Sequence, residues 1–253
     1  MALPALAPLE VLAATRESEP VVAAEGLVRA FGGRRAVDGV SFDLEAGDCL
    51  ALFGPNGAGK TTLIRLLAGL LAPTSGICRV GGFSLREGPA ARARVGLISH
   101  ASMLYGALSP RENVEFTARM YGLPDPAGAA TRALSAMRVL DRADTPVRAL
   151  SRGLQQRVSI ARAIVHSPRL LLCDEPYTGL DEVGSAALTE ALAERRNAGA
   201  ALLLVTHNLT EGLALATRVA LMRRGRFARY DSRNAVDGAS YSAEYRQLMT
   251  FDA

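Results

Sequence analysis

Lysine is almost absent from this chain of 253 residues. Of the 29 basic residues only Lys60 is a lysine, and the other 28 are arginine. A solvated surface charge tolerates arginine in place of lysine, whereas a cramped phosphate site built around a compact charge does not. We infer that lysine is kept only where the chemistry excludes its replacement. The alternative is that one leftover lysine stands there by chance.

Other scarce features narrow the class of protein. Cys49, Cys78 and Cys173 are far apart and lack metal-ligand spacing, which predicts buried small residues in a reducing compartment. No apolar stretch approaches the roughly 20 residues of a membrane span. The apolar first 14 residues carry no basic start and are interrupted by Glu10, so we expect no signal peptide. We therefore expect a protein that is soluble on its own.

The charge is mildly basic and thinly spread, with a net value of +4 and a pI of about 9.2. No basic run with interleaved aromatics is present, so no nucleic acid is expected as a partner. The charge suits phosphate ligands or an anionic membrane surface. The length and the 49% apolar content predict one large α/β domain, with tails at residues 1–20 and 231–253.

A glycine-rich stretch has the spacing of a phosphate-binding P-loop. It consists of Gly54, Pro55, Asn56, Gly57, Ala58, Gly59, Lys60, Thr61 and Thr62. Glycines let the backbone curl so that successive N–H groups point at a polyphosphate. Lys60 adds a mobile charge at the β- and γ-phosphates, and the Thr61 hydroxyl is placed to hold Mg²⁺.

The residues around this stretch support the same interpretation. Residues 48–53 have the pattern of a buried strand, and residues 62–71 that of a buried helix. Such a helix presents its N-terminal N–H groups to an anion. A glycine-rich turn without chemical consequence is the alternative.

A second chemical motif follows four apolar residues. Residues 170–173 predict a buried parallel strand, which delivers Asp174 and Glu175 at the edge where open α/β sheets bind ligands. Asp174 is the natural second Mg²⁺ ligand beside Thr61. Glu175 is placed to take a proton from an attacking water or to orient it. A solvated end of a strand is the alternative.

Two histidines receive different interpretations. His207 follows the predicted strand at residues 200–205 and is therefore placed to bind a γ-phosphate or its attacking water. A structural role is the alternative for a lone histidine. His166 lies near the end of a predicted helix, at about residues 154–166, where a favourable contact with the helix dipole explains it.

Two predicted strands, residues 21–30 and 37–44, precede the P-loop, with residues 31–35 as their turn. Phe31 at this turn is either a core residue or a stacking partner for a nucleotide base. At the other end of the chain, residues 219–222 and 226–230 predict a closing hairpin.

A helical insert is predicted between the two chemical motifs. Ser109 and Glu112 have the pattern of a capping box, with Pro110 at the first helical position. Further helices are predicted at about residues 126–140 and 182–197. Ser151 is positioned to cap the helix at 154–166, either as a plain N-cap or as part of an exposed phosphate-binding helix terminus.

In this order the motifs resemble the ATP-binding subunit of an ABC transporter, over about residues 21–230. The resemblance rests on the P-loop at 54–62, the signature at 150–157, Walker B at 170–175, the D-loop at 179–181 and the switch histidine His207. It implies an α/β fold class: a P-loop NTPase (RecA-like) core with an antiparallel β subdomain and an inserted helical subdomain, at about residues 101–167.

The resemblance also implies roles. Phe31 would stack on adenine, and Ser151 and Gly153 would contact the γ-phosphate of an ATP held by a second copy. The working enzyme would then be an ATP-dependent head-to-tail dimer, with Glu175 as general base and His207 on the γ-phosphate. The helical insert would press on an integral membrane permease, so the subunit would lie peripherally on the cytoplasmic face of the membrane.

Two departures from the family pattern carry information. Arg152 and Leu154 replace the first Gly and the Gln of the usual Leu-Ser-Gly-Gly-Gln signature. His100 stands where a strand normally ends in the Gln of the Q-loop, and it can still contact Mg²⁺-bound water. His100 and residues 150–153 resemble the heme-exporter ATPase of cytochrome c maturation.

Three alternatives to a heme exporter are open. One is an ABC-2-type exporter ATPase for a drug, lipid or polysaccharide. Another is a soluble ABC-type ATPase acting on the ribosome or DNA, but these usually carry two cassettes or long coiled-coil insertions, which this chain lacks. A P-loop kinase would not explain the signature or His207.

Overall fold

The structure is a computed structural model that describes residues 19–86, 88–99 and 102–236. Its described residues form ten strands: β1 Val22–Phe31, β2 Arg34–Leu44, β3 Cys49–Phe53, β4 Ser75–Val80, β5 Phe83–Ser84, β6 Val95–Ile98, β7 Leu170–Asp174, β8 Ala201–Val205, β9 Arg218–Arg223 and β10 Arg226–Ser232. The seven α-helices in the same ranges are α1 Lys60–Leu67, α2 Pro89–Arg92, α3 Pro110–Met120, α4 Pro126–Ala136, α5 Arg152–Ile164, α6 Glu182–Asn197 and α7 Leu209–Leu215. Most of the tails expected at residues 1–20 and 231–253 lies outside the described residues. Within the second, β10 extends to Ser232 and a short 3₁₀ helix spans Arg233–Ala235.

The strands form two sheets. The larger has the order β10-β9-β3-β8-β7-β6, in which β6, β7, β8, β3 and β9 are parallel and β10 pairs antiparallel at one edge. The smaller is antiparallel, with the order β2-β1-β4-β5. The strand β3 lies in the middle of the larger sheet, so the loop that follows it emerges at the centre of the carboxyl edge.

The central strands of the larger sheet are apolar at every position, since both faces of that sheet are covered. Along β7, Leu170 and Leu172 join the core shared with α1 and the smaller sheet. Leu171 and Cys173 point the other way, into the core formed with the helices α3 to α6. The alternation follows from the two-residue period of a strand. A strand between two hydrophobic layers must therefore be apolar at every position.

The hairpin of β1 and β2 is tighter than the predicted turn at residues 31–35. Only Gly32 and Gly33 form the turn, with φ values of 51° and 85°. Glycine adopts these positive φ values without a Cβ clash, so two residues suffice to reverse the chain. As a result, β2 begins at Arg34, three residues before the predicted start.

The helical insert agrees with the sequence at its start and departs from it later. The capping box at Ser109 and Glu112 is confirmed, because each side chain accepts from the other's backbone N–H. The helix predicted for 126–140 ends at Ala136, since Arg138 adopts a φ of 52° that stops a right-handed helix. The helix predicted for 154–166 instead spans Arg152–Ile164.

His166 contradicts the predicted dipole contact. The residue is half-buried, and its ring is stacked on Tyr121 with a centroid distance of 3.8 Å. Its pKa is lowered to about 4, mainly by burial and partly by the charges of Arg162 and Arg195, while the hydrogen bond to Val95 opposes the shift. The imidazole is therefore neutral near pH 7. Its Nε2–H donates to the Val95 carbonyl oxygen at 3.2 Å, which joins the segment after α5 to β6.

Because His166 is neutral when folded, stability should fall with acid. Below its ordinary pKa of 6.5 the unfolded chain takes a proton that the folded chain refuses until about pH 4. We expect His166→Phe to remove this contribution, which is on the order of 3 kcal/mol across the window. Urea denaturation measured between pH 7 and about pH 4 should show the parent losing that much more unfolding free energy than His166→Phe.

Tyr121→Phe is the control for this measurement, since it keeps the aromatic stack and the histidine. It should follow the parent. Parallel curves for the parent and His166→Phe would show that His166 does not titrate in this window.

Candidate functional site

The loop between β3 and α1 is shaped by close backbone contacts. A Cβ on Gly54 would lie 2.2 Å from the Met222 carbonyl oxygen, and one on Gly59 would lie 2.1 Å from the Ala36 carbonyl oxygen. Both residues also have positive φ values, of 151° and 108°. No other residue type fits these two positions without displacing the backbone of β2 or β9. Glycine at the ends of this loop is therefore a packing requirement.

The helix α1 starts at Lys60 and is shorter than the predicted helix at 62–71. It ends at Leu67, because Gly69 has a φ of 67° and terminates it. Its N-cap is Gly59, which offers no side-chain cap. The first N–H groups of α1, those of Lys60, Thr61 and Thr62, therefore have no side-chain cap. Unpaired N–H groups at the start of a helix are suited to binding an anion.

Lys60 folds over the loop. Its Nζ donates to the Gly54 carbonyl oxygen at 2.6 Å and to the Pro55 carbonyl oxygen at 3.0 Å. Burial lowers the pKa of the ammonium, and the charges of Glu175 and Asp174 offset part of that shift. Lys60 therefore lies close to the two acidic residues that end β7, as the two sequence motifs require if they form one site.

Asp174 is well suited to a cation. Its side chain lies at the carboxyl end of β7 and the residue is only 4% exposed. Within the described ranges its carboxylate accepts no hydrogen bond and forms no ion pair. Carboxylate oxygens without such partners are the ligands that a hard cation such as Mg²⁺ prefers. Thr61, half-buried at the start of α1, is the hydroxyl that the sequence pairs with it.

Glu175 and His207 are in contact. The His207 Nδ1 lies 2.8 Å from the Glu175 Oε2. They meet because β7 and β8 are adjacent and parallel, with Asp174 opposite Val205. Glu175 has a φ of 52° and donates its backbone N–H to the Val205 carbonyl oxygen at 2.9 Å, which fixes the turn that aims its side chain. The sequence placed both residues at one edge without predicting this hydrogen bond.

The signature residues lie on a separate element. Ser151 caps α5, its Oγ accepting from the Leu154 N–H at 3.4 Å, so the plain N-cap is present. Ser151 is exposed and Gly153 is half-buried. A Cβ on Gly153 would lie 3.1 Å from the Gly179 carbonyl oxygen. No hydrogen bond among the described residues joins Ser151 or Gly153 to residues 54–62.

Two other predicted residues have different outcomes. Phe31 ends β1 and is 47% exposed, with the Arg29 guanidinium 4.6 Å from its ring centroid. It is a surface residue, not a core residue, so the ring is available to a ligand. His100 lies outside the described residues.

The comparison with known families decides the identity. The family described as ABC transporter matches residues 37–178, more than half of the chain and from β2 past the acidic end of β7. The chain belongs to the ABC transporter family. It is an ATP-binding subunit of that family.

Relatives of this ABC subunit include proteins of several transport systems. The Nod factor export ATP-binding protein I of Ralstonia nicotianae is 36% identical over 83% of this chain and 66% of its own length. The cobalt import ATP-binding protein CbiO of Rhodobacter capsulatus is 41% identical over 82% of this chain and 77% of its own length. The daunorubicin resistance ATP-binding protein DrrA3 of Streptomyces coeruleorubidus is 34% identical over 83% of this chain and 67% of its own length. The chain thus spans about two thirds of the length of the first and third.

The fold class predicted for this ABC subunit is confirmed. A solved structure described as the ATP binding subunit of an ABC transporter superposes with a TM-score of 0.83 and 29% identity, covering 90% of this chain and 99% of that one. Within residues 19–86, 88–99 and 102–236, no helix combines the length and the apolar character that crossing a membrane demands.

Two residues of the ABC signature helix have roles that were not predicted. Arg157 is buried and pairs with Asp181, whose side chain also caps α6 by accepting from the Gly184 N–H. The pairing lowers the pKa of Asp181. Gln155 turns inward and donates to the carbonyl oxygens of Val147 and Leu150 at 3.1 and 3.0 Å. In the sequence, the only signal of these contacts is that Gln155 and Arg157 are polar residues in a helix with a buried face.

We expect Gly59→Ala to destabilise the ABC subunit more than Gly57→Ala. Both positions have a positive φ, which costs roughly 1–2 kcal/mol for alanine. Only Gly59 also faces a backbone atom, whereas nothing lies within 4 Å of a Cβ at Gly57. Overpacking should therefore add about 1–3 kcal/mol at Gly59. Urea denaturation without nucleotide measures the difference, and equal losses would contradict the described contact with Ala36.

Proposed function

We propose that this subunit hydrolyses ATP to power export through a separate integral membrane permease, while bound peripherally at the cytoplasmic face of the membrane. The observation that carries the proposal is the meeting of Lys60, Asp174, Glu175 and His207 at one edge of the sheet. We further propose residues 21–230 as the ATP-binding domain, with a helical subdomain at about 101–167.

The P-loop is the part that holds the polyphosphate. Its backbone N–H groups surround the β- and γ-phosphates, with further N–H donors from the start of α1. Lys60 exchanges its two carbonyl partners for phosphate oxygens, a stronger match for an ammonium because the acceptor is charged. Phe31 stacks on the adenine with the ring face that Arg29 leaves uncovered.

Thr61 and Asp174 hold the Mg²⁺ that accompanies ATP. The carboxylate of Asp174, at the end of β7 and without a partner among the described residues, fits this ion. When bound, Mg²⁺ neutralises charge on the phosphate oxygens. His100 belongs to the same proposal as a contact to Mg²⁺-bound water.

Glu175 is the general base. It accepts a proton from the water whose oxygen forms the new bond to the γ-phosphorus, while the bond to the β-phosphate oxygen breaks and ADP leaves. The hydrogen bond from His207 holds the Glu175 carboxylate in one orientation. Once nucleotide is bound, His207 also contacts the γ-phosphate.

Ser151 and Gly153 complete the site of a second copy. Both lie on the exposed start of α5 and are not hydrogen-bonded to the P-loop of their own chain. In a head-to-tail dimer each α5 terminus faces the γ-phosphate that the other copy holds. Two ATP molecules then close the dimer, and their hydrolysis allows it to reopen.

The permease binds an apolar patch on the helical subdomain. The patch consists of Met103, Tyr105, Phe116 and Met120, which are between 44% and 64% exposed. Tyr105 and Phe116 contact edge to face at 5.7 Å. Exposed apolar groups in such a cluster are typical of a protein interface.

The patch is tied to the signature helix. The buried Asn113 of α3 donates to the Tyr105 carbonyl oxygen and accepts from the Tyr105 N–H, at 3.1 and 2.8 Å. Ser159 of α5 donates to the Ser102 carbonyl oxygen at 2.9 Å. Movement of α5 on dimer closure therefore reaches the patch through two hydrogen-bonded contacts.

Among transport classes, the relatives favour an ABC-2-type exporter for a drug, lipid or polysaccharide. Two of the reported relatives are named for Nod factor export and daunorubicin resistance, against one for cobalt import. Heme export for cytochrome c maturation is the second candidate and rests on His100 and residues 150–153. The substrate of the associated permease distinguishes the two.

We expect Glu175→Gln to bind Mg-ATP but to hydrolyse it about 10² to 10⁴ times more slowly, because the base is lost and the site's shape is kept. Light scattering should then detect a shift from monomer to dimer with Mg-ATP and none with Mg-ADP. Lys60→Ala is the matched control and should lose ATP binding. Hydrolysis by Glu175→Gln near the parental rate would contradict the assignment of the base.

We expect Met120→Asp to release the permease without changing ATP hydrolysis by the isolated subunit, since a charge in an apolar contact is costly. The measurement is co-purification of an integral membrane protein with the tagged subunit from solubilised membranes. Leu70→Asp, at another exposed apolar residue, is the control and should retain the partner. Retention by Met120→Asp would contradict the docking patch, and co-sedimentation with ribosomes would favour the soluble class.

A further inference from the structure

The signature of this chain has lost one donor. Leu154 occupies the position at which the family pattern has Gln, and a leucine side chain donates nothing. The adjacent Gln155 does not replace it, because its Nε2 is bound to the Val147 and Leu150 carbonyl oxygens. The exposed start of α5 therefore offers only the Ser151 hydroxyl and backbone N–H groups, apart from the side chain of Arg152.

Arg152 is a charged residue in an unusual place. It is the first residue of α5, it is exposed, and it forms no hydrogen bond or ion pair with any residue that the structure describes. The positive end of the helix dipole disfavours a cation at this position. The first turn of α5 contains no acidic residue to offset it.

The same arrangement occurs once more in the described helices. Of the seven α-helices in those ranges, only α1 and α5 begin with a basic residue, and neither has an acidic residue in its first turn. In α1 that residue is Lys60, the proposed partner of the β- and γ-phosphates. Arg111, near the start of α3, pairs with Asp144 at 2.9 Å, so its charge is balanced within the chain. A cation placed against a helix dipole without an acidic neighbour thus marks both halves of the proposed ATP site.

We propose that Arg152 reaches across the dimer and binds the γ-phosphate of the ATP held by the second copy, replacing the missing glutamine donor. The inference rests on the proposed head-to-tail dimer. A guanidinium presents up to five N–H donors in a planar fork that matches phosphate oxygens. ATP then binds α5 of the opposite copy through a charge-assisted contact that ADP lacks, so Arg152 is a residue that detects the γ-phosphate.

The test uses the full chain carrying Glu175→Gln, with and without Arg152→Gln. Sedimentation measures the dimer dissociation constant in saturating Mg-ATP at low and high salt. We expect Arg152→Gln to weaken the dimer by about tenfold or more, since a hydrogen bond to a charged group is lost at each of two sites. The dimer should also lose part of its salt sensitivity. Arg152→Lys should restore part of the affinity.

Two readouts separate this role from a structural one. ATP affinity of the monomer should be unchanged, because Arg152 acts on the other copy's nucleotide. The melting temperature of the nucleotide-free monomer should be unchanged or slightly raised, because an unfavourable charge leaves the helix start. Arg65→Gln, at an exposed arginine in the last turn of α1, is the matched control and should dimerise like the parent.

An Arg152→Gln dimer as tight and as salt-sensitive as the parent would overturn the inference and leave the composite site intact. A lowered melting temperature or a lowered monomer affinity for ATP would also overturn it, in favour of a structural role. If the Glu175→Gln parent stays monomeric with Mg-ATP at all protein concentrations, the head-to-tail dimer itself fails, and the inference fails with it.

Discussion

The proposed nucleotide site depends on how closely the loop after β3 packs against two neighbouring strands. Gly54 touches the backbone of β9, and Gly59 touches the backbone just within β2. These contacts hold the loop between the two sheets of the molecule and set the direction in which α1 leaves it. The close packing at the glycines therefore fixes the path of the backbone through the loop. That path brings the N–H groups of α1 and the ammonium of Lys60 to the acidic end of β7.

The parallel sheet brings the remaining groups to that point. Because β7 and β8 are neighbours in register, the residues that follow them lie side by side, and Glu175 meets His207 although 32 residues separate them. The order of the strands thus supplies a contact that no local pattern contains. The helical insert is joined to the same edge through α5, which carries the signature at its start. Near the middle of α5, Ser159 contacts Ser102 in the segment between β6 and α3.

Much of this arrangement could be predicted from local patterns, and the exceptions have physical reasons. Apolar runs at β3, β7 and β8 identify strands because both faces of the sheet are covered. The capping box at Ser109 and the P-loop spacing are equally local. The neutral state of His166 and the pair of Arg157 with Asp181 depend on segments distant in sequence. No spacing rule reaches such contacts, since they follow from tertiary packing.

The single lysine has a consequence for the chemistry of the whole surface. Every other basic side chain is a guanidinium, which stays protonated and does not react as an amine. Lys60 is the one side-chain amine, and burial lowers its pKa, which increases the fraction present as the nucleophilic free base. An acylating or aldehyde reagent therefore has one side-chain amine to modify. In the proposed ATP site that nitrogen also binds phosphate, so covalent labelling and nucleotide binding would compete for it.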